Sequence, residues 1–140
     1  MFMGLLQGFA RTGRLIQIER HLGRQEDPRG FVQVASETLI LLAVVGPRAT
    51  FDGMRVIRMD DVTQVRWDTD TLRAWAEALG DQVRPRLEEP RLDTTEAIVL
   101  AAAREHGLVT LLHEGTDSAQ SITIRDVSVT RDMVTGERVT

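Results

Sequence analysis

The spacing of apolar residues changes near residue 14, from a helical period to an alternating one. Before this point they recur at i, i+3, i+4 and i+7, which predicts a helix over residues 2–11 that ends at Gly13: Phe2, Leu5, Leu6 and Phe9. After it, alternation predicts five short strands. They are Leu15–His21, Phe31–Ala35, Thr38–Val45, Met54–Met59 and Val62–Trp67.

The third predicted strand, Thr38–Val45, is apolar on both faces, which indicates a central strand. Ser36–Glu37 and Asp60–Asp61 predict tight turns. Gly46–Pro47 opens a predicted loop that closes at Asp52–Gly53, a hairpin signal before the fourth strand. Five short strands in a meander after a helix predict a small antiparallel barrel with the helix over one end.

The helical period returns after residue 69. Asp70 is placed to cap a helix that runs to Leu79 and ends at Gly80. Residues 81–91 contain two prolines and predict an extended connector.

A second helix and three strands follow the connector. Asp93 and Glu96 have capping-box spacing and open a helix that ends at Gly107. The predicted strands are Leu108–His113, Ser121–Val127 and Val129–Val134. The fold class is therefore mainly β with helices (α+β): a barrel unit at 1–67, a helical connector at 68–107 and a partial second β unit at 108–140.

Two segments of the first half resemble the motifs of the Sm and Sm-like proteins, the small barrels of RNA-processing rings. Gly30–Leu42 (GFVQVASETLILL) is similar to the first motif, in which a glycine starts a bent second strand. Ile57–Val65 (IRMDDVTQV) is similar to the second motif, which joins strands four and five. The resemblance covers residues 1–67. It implies an SH3-like barrel, RNA binding, and barrel edges that pair head to tail into rings.

The chain departs from the Sm pattern at the RNA-contacting positions. Ser36 and Ile40 stand where RNA-binding Sm proteins have Asp and Asn, and isoleucine has no donor or acceptor for a base edge. Met59 replaces a motif glycine, and Arg58 alone remains of the contacting set. Uridine binding at the usual pocket is therefore not expected. Arg55, Arg58 and Arg66 are the candidate nucleic-acid contacts, with solvated charges paired to acids as the alternative.

Composition and charge narrow the class of protein further. The 140 residues include no Cys and no Lys, so all 17 basic residues are Arg, and the net charge is −4. Residues 1–68 carry +1 and residues 69–140 carry −5. A dedicated nucleic-acid binder is usually basic, so the acidic half argues against non-specific binding. The N-terminus lacks the positive region of a secretory signal and no apolar run is long enough for a membrane span, so we expect a cytoplasmic protein without a membrane partner.

No chemical motif predicts catalysis. The three histidines, His21, His106 and His113, have no zinc-ligand spacing, and the chain contains no phosphate-binding, dinucleotide-binding or nucleophile-elbow motif. We therefore expect a protein that is not an enzyme and uses no cofactor or metal.

The last β segment predicts self-association. Its first strand is apolar on both faces, which a lone solvent-facing ribbon would not tolerate. The apolar residues of this edge are Leu108, Val109, Leu111 and Leu112. We expect a homo-oligomer, with a dimer favoured and a ring as the alternative. Two functions remain: a non-catalytic Sm-like module for assembly or partner binding, and an RNA-binding protein that uses a surface other than the uridine pocket.

Overall fold

The computed structural model describes residues 2–20, 27–88, 91–113, 120–130 and 133–139. Their contacts divide the chain into two compact units, with the boundary between Arg86 and Leu87. The first unit contains a helix, five strands and a second helix, and the second unit contains one helix and three strands. The predicted mixed α+β class is confirmed.

The first helix, α1, covers Phe2–Thr12 and buries one apolar stripe that includes Leu6 and Phe9. It ends where the pattern predicts. Gly13 has a φ of +66°, and its N–H donates to the Phe9 carbonyl at 2.9 Å. A left-handed residue at this position is the usual end of a helix, and glycine adopts it without a steric penalty.

Five strands follow α1 and form one antiparallel sheet in the order β4-β3-β2-β1-β5. Strand β3 is an interior strand and is buried along its whole length except for the half-buried Val44. This confirms the prediction from its two apolar faces. The strands are β1 (Ile16–Arg20), β2 (Arg29–Ala35), β3 (Leu39–Val45), β4 (Phe51–Arg58) and β5 (Val62–Trp67).

The sheet is strongly curled, because consecutive strands form its two edges. Strands β4 and β5 are joined only by a turn of 3-10 helix, Met59–Asp61. Four residue steps span at most about 14 Å, whereas four strand spacings in a flat sheet measure about 19 Å. The edges must therefore bend toward each other. In the described residues β4 and β5 do not pair, so this sheet is open.

Each face of the curled sheet has its own apolar core. All five strands and α1 contribute to the inner core, whose most buried members are Leu6, Ile16, Ile18, Ile40 and Leu42. The outer core lies under a second helix, α2 (Asp70–Leu79). It consists of Leu15, Phe31, Ala43, Val45, Leu72 and Leu79, with Phe51, Met54 and Trp75 at its margin.

The predicted loop between the third and fourth strands begins at Gly46 as expected, but its predicted closure at Asp52–Gly53 is wrong. The β3–β4 turn lies at residues 46–50, where the Gly46 N–H donates to the Thr50 carbonyl at 2.8 Å. Asp52 and Gly53 instead lie within β4, beside a register shift opposite Ala43 and Val45. Gly53 has a φ of +77°, and such a glycine serves a bulge as well as a turn.

Both predicted helix caps are displaced by one residue. The α2 cap is Thr69, whose hydroxyl accepts from the Leu72 N–H, not Asp70. The cap of α3 (Thr95–His106) is Thr94, which accepts from the Ala97 N–H, not Asp93. Threonine and aspartate are both favourable N-cap residues, so residue type alone does not show which of two neighbours caps the helix.

The second unit contains α3 and a three-stranded antiparallel sheet in the order β6-β7-β8. The strands are β6 (Leu108–His113), β7 (Gln120–Thr130) and β8 (Met133–Arg138). The predicted strand Val129–Val134 is therefore wrong, since it straddles the end of β7 and the start of β8. Buried apolar residues of this unit include Leu87, Leu92, Ile98, Val99, Ala101 and Ile124.

Candidate functional site

The free side of β4 presents unpaired backbone groups. The Met59 N–H donates to the Thr38 carbonyl. With the register of β3 and β4, this bond shows which residues of β4 turn their backbone groups toward β3. In an antiparallel pair hydrogen-bonded residues alternate, so Arg55 and Ile57 bond to β3. The N–H and C=O groups of Met54 and Val56 and the N–H of Arg58 point away from the sheet, and no described strand lies beside them. The Arg58 carbonyl begins the 3-10 turn Met59–Asp61.

The opposite edge strand, β5, also has backbone groups that point away from the sheet. The Ile18 N–H donates to the Pro28 carbonyl, so Ile18 bonds toward β2 while Gln17 and Glu19 bond toward β5. The outward backbone groups of β5 are then those of Val65 and Trp67. Among the described strands none pairs with this side of β5 either.

The predicted oligomer edge is an edge strand. Strand β6 pairs only with β7 within the described chain. The Val139 N–H donates to the Thr123 carbonyl. The backbone N–H and C=O groups of Thr123 therefore face β8, and those of Ile124 face β6. Val109 and Leu111 therefore bond to β7, and the backbones of Leu108, Thr110 and Leu112 point outward.

The three candidate nucleic-acid contacts lie on the two edge strands of the sheet. Arg55 and Arg58 lie on β4, and Arg66 lies on β5 at the other edge. Arg55 shares a face with Ile57, and Arg58 lies on the opposite face, as their spacing predicts. The Arg66 guanidinium donates to Glu19 Oε1 on β1, so this arginine has the acidic partner that the alternative interpretation expects.

The positions of the uridine pocket are occupied by structural contacts. Ile40 is fully buried in the inner core. The Ser36 hydroxyl accepts from the backbone N–H groups of Thr38 and Leu39 within its own turn. Met59 packs against the inner core from the 3-10 turn. None of these side chains presents a free polar group for a base.

A cleft of about 250 Å³ opens on the outer face of the first unit. Its walls come from the segment after α1, from β2, from the turn before α2 and from α2 itself. The lining residues are Gly13, Arg14, Leu15, Phe31, Asp68, Leu72, Arg73 and Ala76. Apolar side chains therefore form most of its floor, and charged side chains stand at its rim.

Arginine is concentrated around this cleft. The Arg84 guanidinium lies 3.9 Å from the centre of the Phe31 ring, and Arg29 lies 4.5 Å from the centre of the Trp75 ring. Arg73 donates to Asp68 and Asp70, and these hydrogen bonds raise its pKa. Burial, and then the charge of Arg86, lower the pKa of Arg84. A guanidinium in this position is held at an electrostatic cost.

This cleft is not predictable from the sequence. Gly13 appears only as a helix stop, and Arg84 lies in a segment that the two prolines mark as a connector. No local pattern signals that residue 84 returns to residues 13 and 31, because the contact depends on the path of the chain after α2. Trp67 and Trp75 make apolar contacts within the first unit: Trp67 lies against Phe9 with 5.3 Å between the ring centres, and Trp75 lies at the margin of the outer core.

Metal-binding geometry does not appear in the part of the chain that the structure describes, where no three His, Asp or Glu side chains come together. His106 is exposed at the end of α3, and His21 lies outside the described residues. Among the described helices none combines the length and the apolar character that a membrane crossing requires.

Comparison of the chain with protein-family models, with curated proteins and with solved structures finds no match. The resemblance to the Sm proteins therefore depends on the segments Gly30–Leu42 and Ile57–Val65 alone.

Proposed function

We propose that this protein is a non-catalytic assembly module whose first unit is Sm-like and joins further copies of the same chain through its strand edges. The observation that carries the proposal is the strand order β4-β3-β2-β1-β5 of a curled sheet. It gives the first unit two different edges that no described strand covers. A head-to-tail contact between unlike edges closes into a ring when the rotation between copies permits it, and a neighbour's strand would complete the barrel.

The β4 edge has one segment suited to pairing. Its first half contains the Asp52–Gly53 bulge, and bulges and charges are the devices by which edges avoid unwanted partners. The regular run Met54–Arg58 remains. Its outward groups at Met54, Val56 and Arg58 define the length of ladder that a second strand can form.

The β6 edge offers a second mode of assembly. A strand edge that meets its own copy antiparallel about a two-fold axis gives a dimer, which is the state favoured by the sequence. The two modes involve different units of the chain, so they are separable by mutation. A cytoplasmic location is part of the same proposal.

Proline substitutions at outward N–H groups separate the two modes. Val56→Pro and Thr110→Pro each remove one outward donor and leave the internal ladder intact, and edge positions of this kind tolerate proline. Val56→Thr and Thr110→Val keep the N–H and serve as matched controls. Thermal unfolding of each variant establishes that it is folded.

Sedimentation equilibrium at micromolar concentration measures the outcome. A ring that Val56→Pro dissociates supports pairing of β4 with β5, and a dimer that Thr110→Pro dissociates supports pairing of β6. A wild-type protein that sediments as a single species near 15.7 kDa refutes the assembly proposal. An oligomer that neither proline affects refutes edge pairing as its cause.

RNA binding is the other candidate function and has weaker support. Arg66 is paired with Glu19, and the pocket positions Ser36 and Ile40 are engaged in the turn and the core. Arg58 is the remaining exposed arginine of the family's contacting set.

A further inference from the structure

The cleft described above carries a surplus of positive charge. Arg73 is matched by Asp68 and Asp70. Arg14 at the rim forms no hydrogen bond or ion pair with any residue that the structure describes, and Arg84 has no carboxylate partner there. Two guanidinium groups, Arg14 in the lining of the cleft and Arg84 over its Phe31, thus have no carboxylate partner among the described residues.

Arg84 is held at the cleft by packing. Its guanidinium carbon lies over the Phe31 ring, 3.9 Å from the ring centre, and its two terminal nitrogens lie 3.5 and 3.6 Å from the point where a Cβ on Gly13 would stand. Phe31 and Gly13 both line the cleft. Stacking on a ring occupies the face of a guanidinium and leaves the N–H groups at its edge available as donors.

We propose that this cleft binds a small organic anion: a molecule with one phosphate or carboxylate group and a compact apolar body. The anionic group would lie between Arg14 and Arg84, where guanidinium donors match its oxygens. The apolar body would lie on Leu15, Phe31 and Leu72. A volume of about 250 Å³ corresponds to roughly eight water molecules at about 30 Å³ each, which suits one ring with one anionic substituent. This inference goes beyond assembly, because every group it uses belongs to one copy of the chain.

Three probes test the proposed chemistry on the full-length protein. Phenyl phosphate carries both the anion and the ring, inorganic phosphate carries the anion alone, and benzyl alcohol carries the ring without charge. We expect phenyl phosphate to bind most tightly in isothermal titration calorimetry. In amide-resolved NMR it should shift Gly13, Leu15 and Phe31 more than residues elsewhere in the first unit. Benzoate in place of phenyl phosphate distinguishes a carboxylate from a phosphate ligand.

Charge-matched variants complete the test. Arg84→Gln and Arg14→Gln should each weaken phenyl phosphate binding at least about tenfold, because each removes a charge-assisted hydrogen bond. Arg48→Gln in the β3–β4 turn removes the same charge away from the cleft-lining residues and should leave the affinity unchanged. The proposal is overturned if none of the anions shifts the cleft amides at millimolar concentration. It is also overturned if Arg48→Gln weakens binding as much as Arg84→Gln, or if a short oligouridine shifts these amides and phenyl phosphate does not.

Discussion

Gly30 lies against the backbone of Ala43 at a distance that excludes any side chain. A Cβ built on Gly30 would stand 2.2 Å from the Ala43 carbonyl oxygen and 2.9 Å from Leu42 Cγ. Gly30 begins β2 one residue inside the strand, and β2 shifts register against β3 between Val32 and Val34. The close approach of the two backbones is thus part of the bend that curls the sheet, and glycine is required here for space.

Gly30→Ala should lower the free energy of unfolding by about 3 kcal/mol or more, since the obstacle is a carbonyl oxygen of an interior strand that has no freedom to move. Urea unfolding followed by tryptophan fluorescence measures the change. Gly4→Ala is the matched control. A Cβ at Gly4 meets nothing within 4 Å, and alanine is the better helix former, so this variant should gain about 0.5 kcal/mol. Equal losses from both variants would contradict the steric argument.

Ala49→Gly should stabilise the first unit by about 0.5–1 kcal/mol. Ala49 has a φ of +54° in the β3–β4 turn, a conformation that costs an L-residue free energy and costs glycine none. Ala74→Gly in the exposed middle of α2 should have the opposite sign, with a loss of about 1 kcal/mol. A lower melting temperature for Ala49→Gly would show that residue 49 does not carry this strain.

The displaced cap of α2 gives a test between two adjacent residues. Thr69→Ala removes the acceptor of the Leu72 N–H and should cost about 1 kcal/mol. Asp70→Ala removes an exposed pair with Arg73 and a carboxylate in the first helical turn, and it should cost less because both interactions are weak at the surface. Thermal unfolding of the two variants compares them directly. If the loss is larger for Asp70→Ala, then Asp70 is the cap, as the sequence pattern predicts.

Oligouridine should not bind with sub-micromolar affinity at near-physiological salt. The side chain that would contact a base edge is replaced by the fully buried Ile40, and the Ser36 hydroxyl is occupied by its own turn. Fluorescence anisotropy with a labelled oligouridine measures this. Tight binding that Arg58→Gln weakens and Arg48→Gln does not would instead favour RNA binding as the function.

The sequence predicts the strands of the first unit because each has a strong local signal. Strand β3 is apolar throughout, β5 is bounded by Asp61 and Asp68, and Gly13 ends α1. Local signals are ambiguous where one residue type serves two purposes. Asp52–Gly53 fits a turn and a bulge, and Thr69 and Asp70 are both competent caps.

Contacts between distant segments are not encoded by such signals. The edge positions of β4 and β5 follow from the pairing of Ile16 with Trp67, and the cleft follows from the return of Arg84 to Phe31. Neither contact has a period or a motif, since both arise only when the sheet has curled and α2 has packed on it. Strand β6 is predictable because its apolar pattern is local, whereas its role as an oligomer edge stays a prediction.

The strand order of the curled sheet also determines when each strand can pair during synthesis of the chain. Strands β2, β3 and β4 pair with neighbours along the chain, so their loops close at small entropic cost as they leave the ribosome. One side of β1 stays unpaired until β5 (Val62–Trp67) has been synthesised. At synthesis rates of about 5–20 residues per second, that side stays uncovered for roughly 2 to 9 s. During translation β1 is therefore a second open edge of this sheet besides β4, although it lies in the interior of the finished sheet.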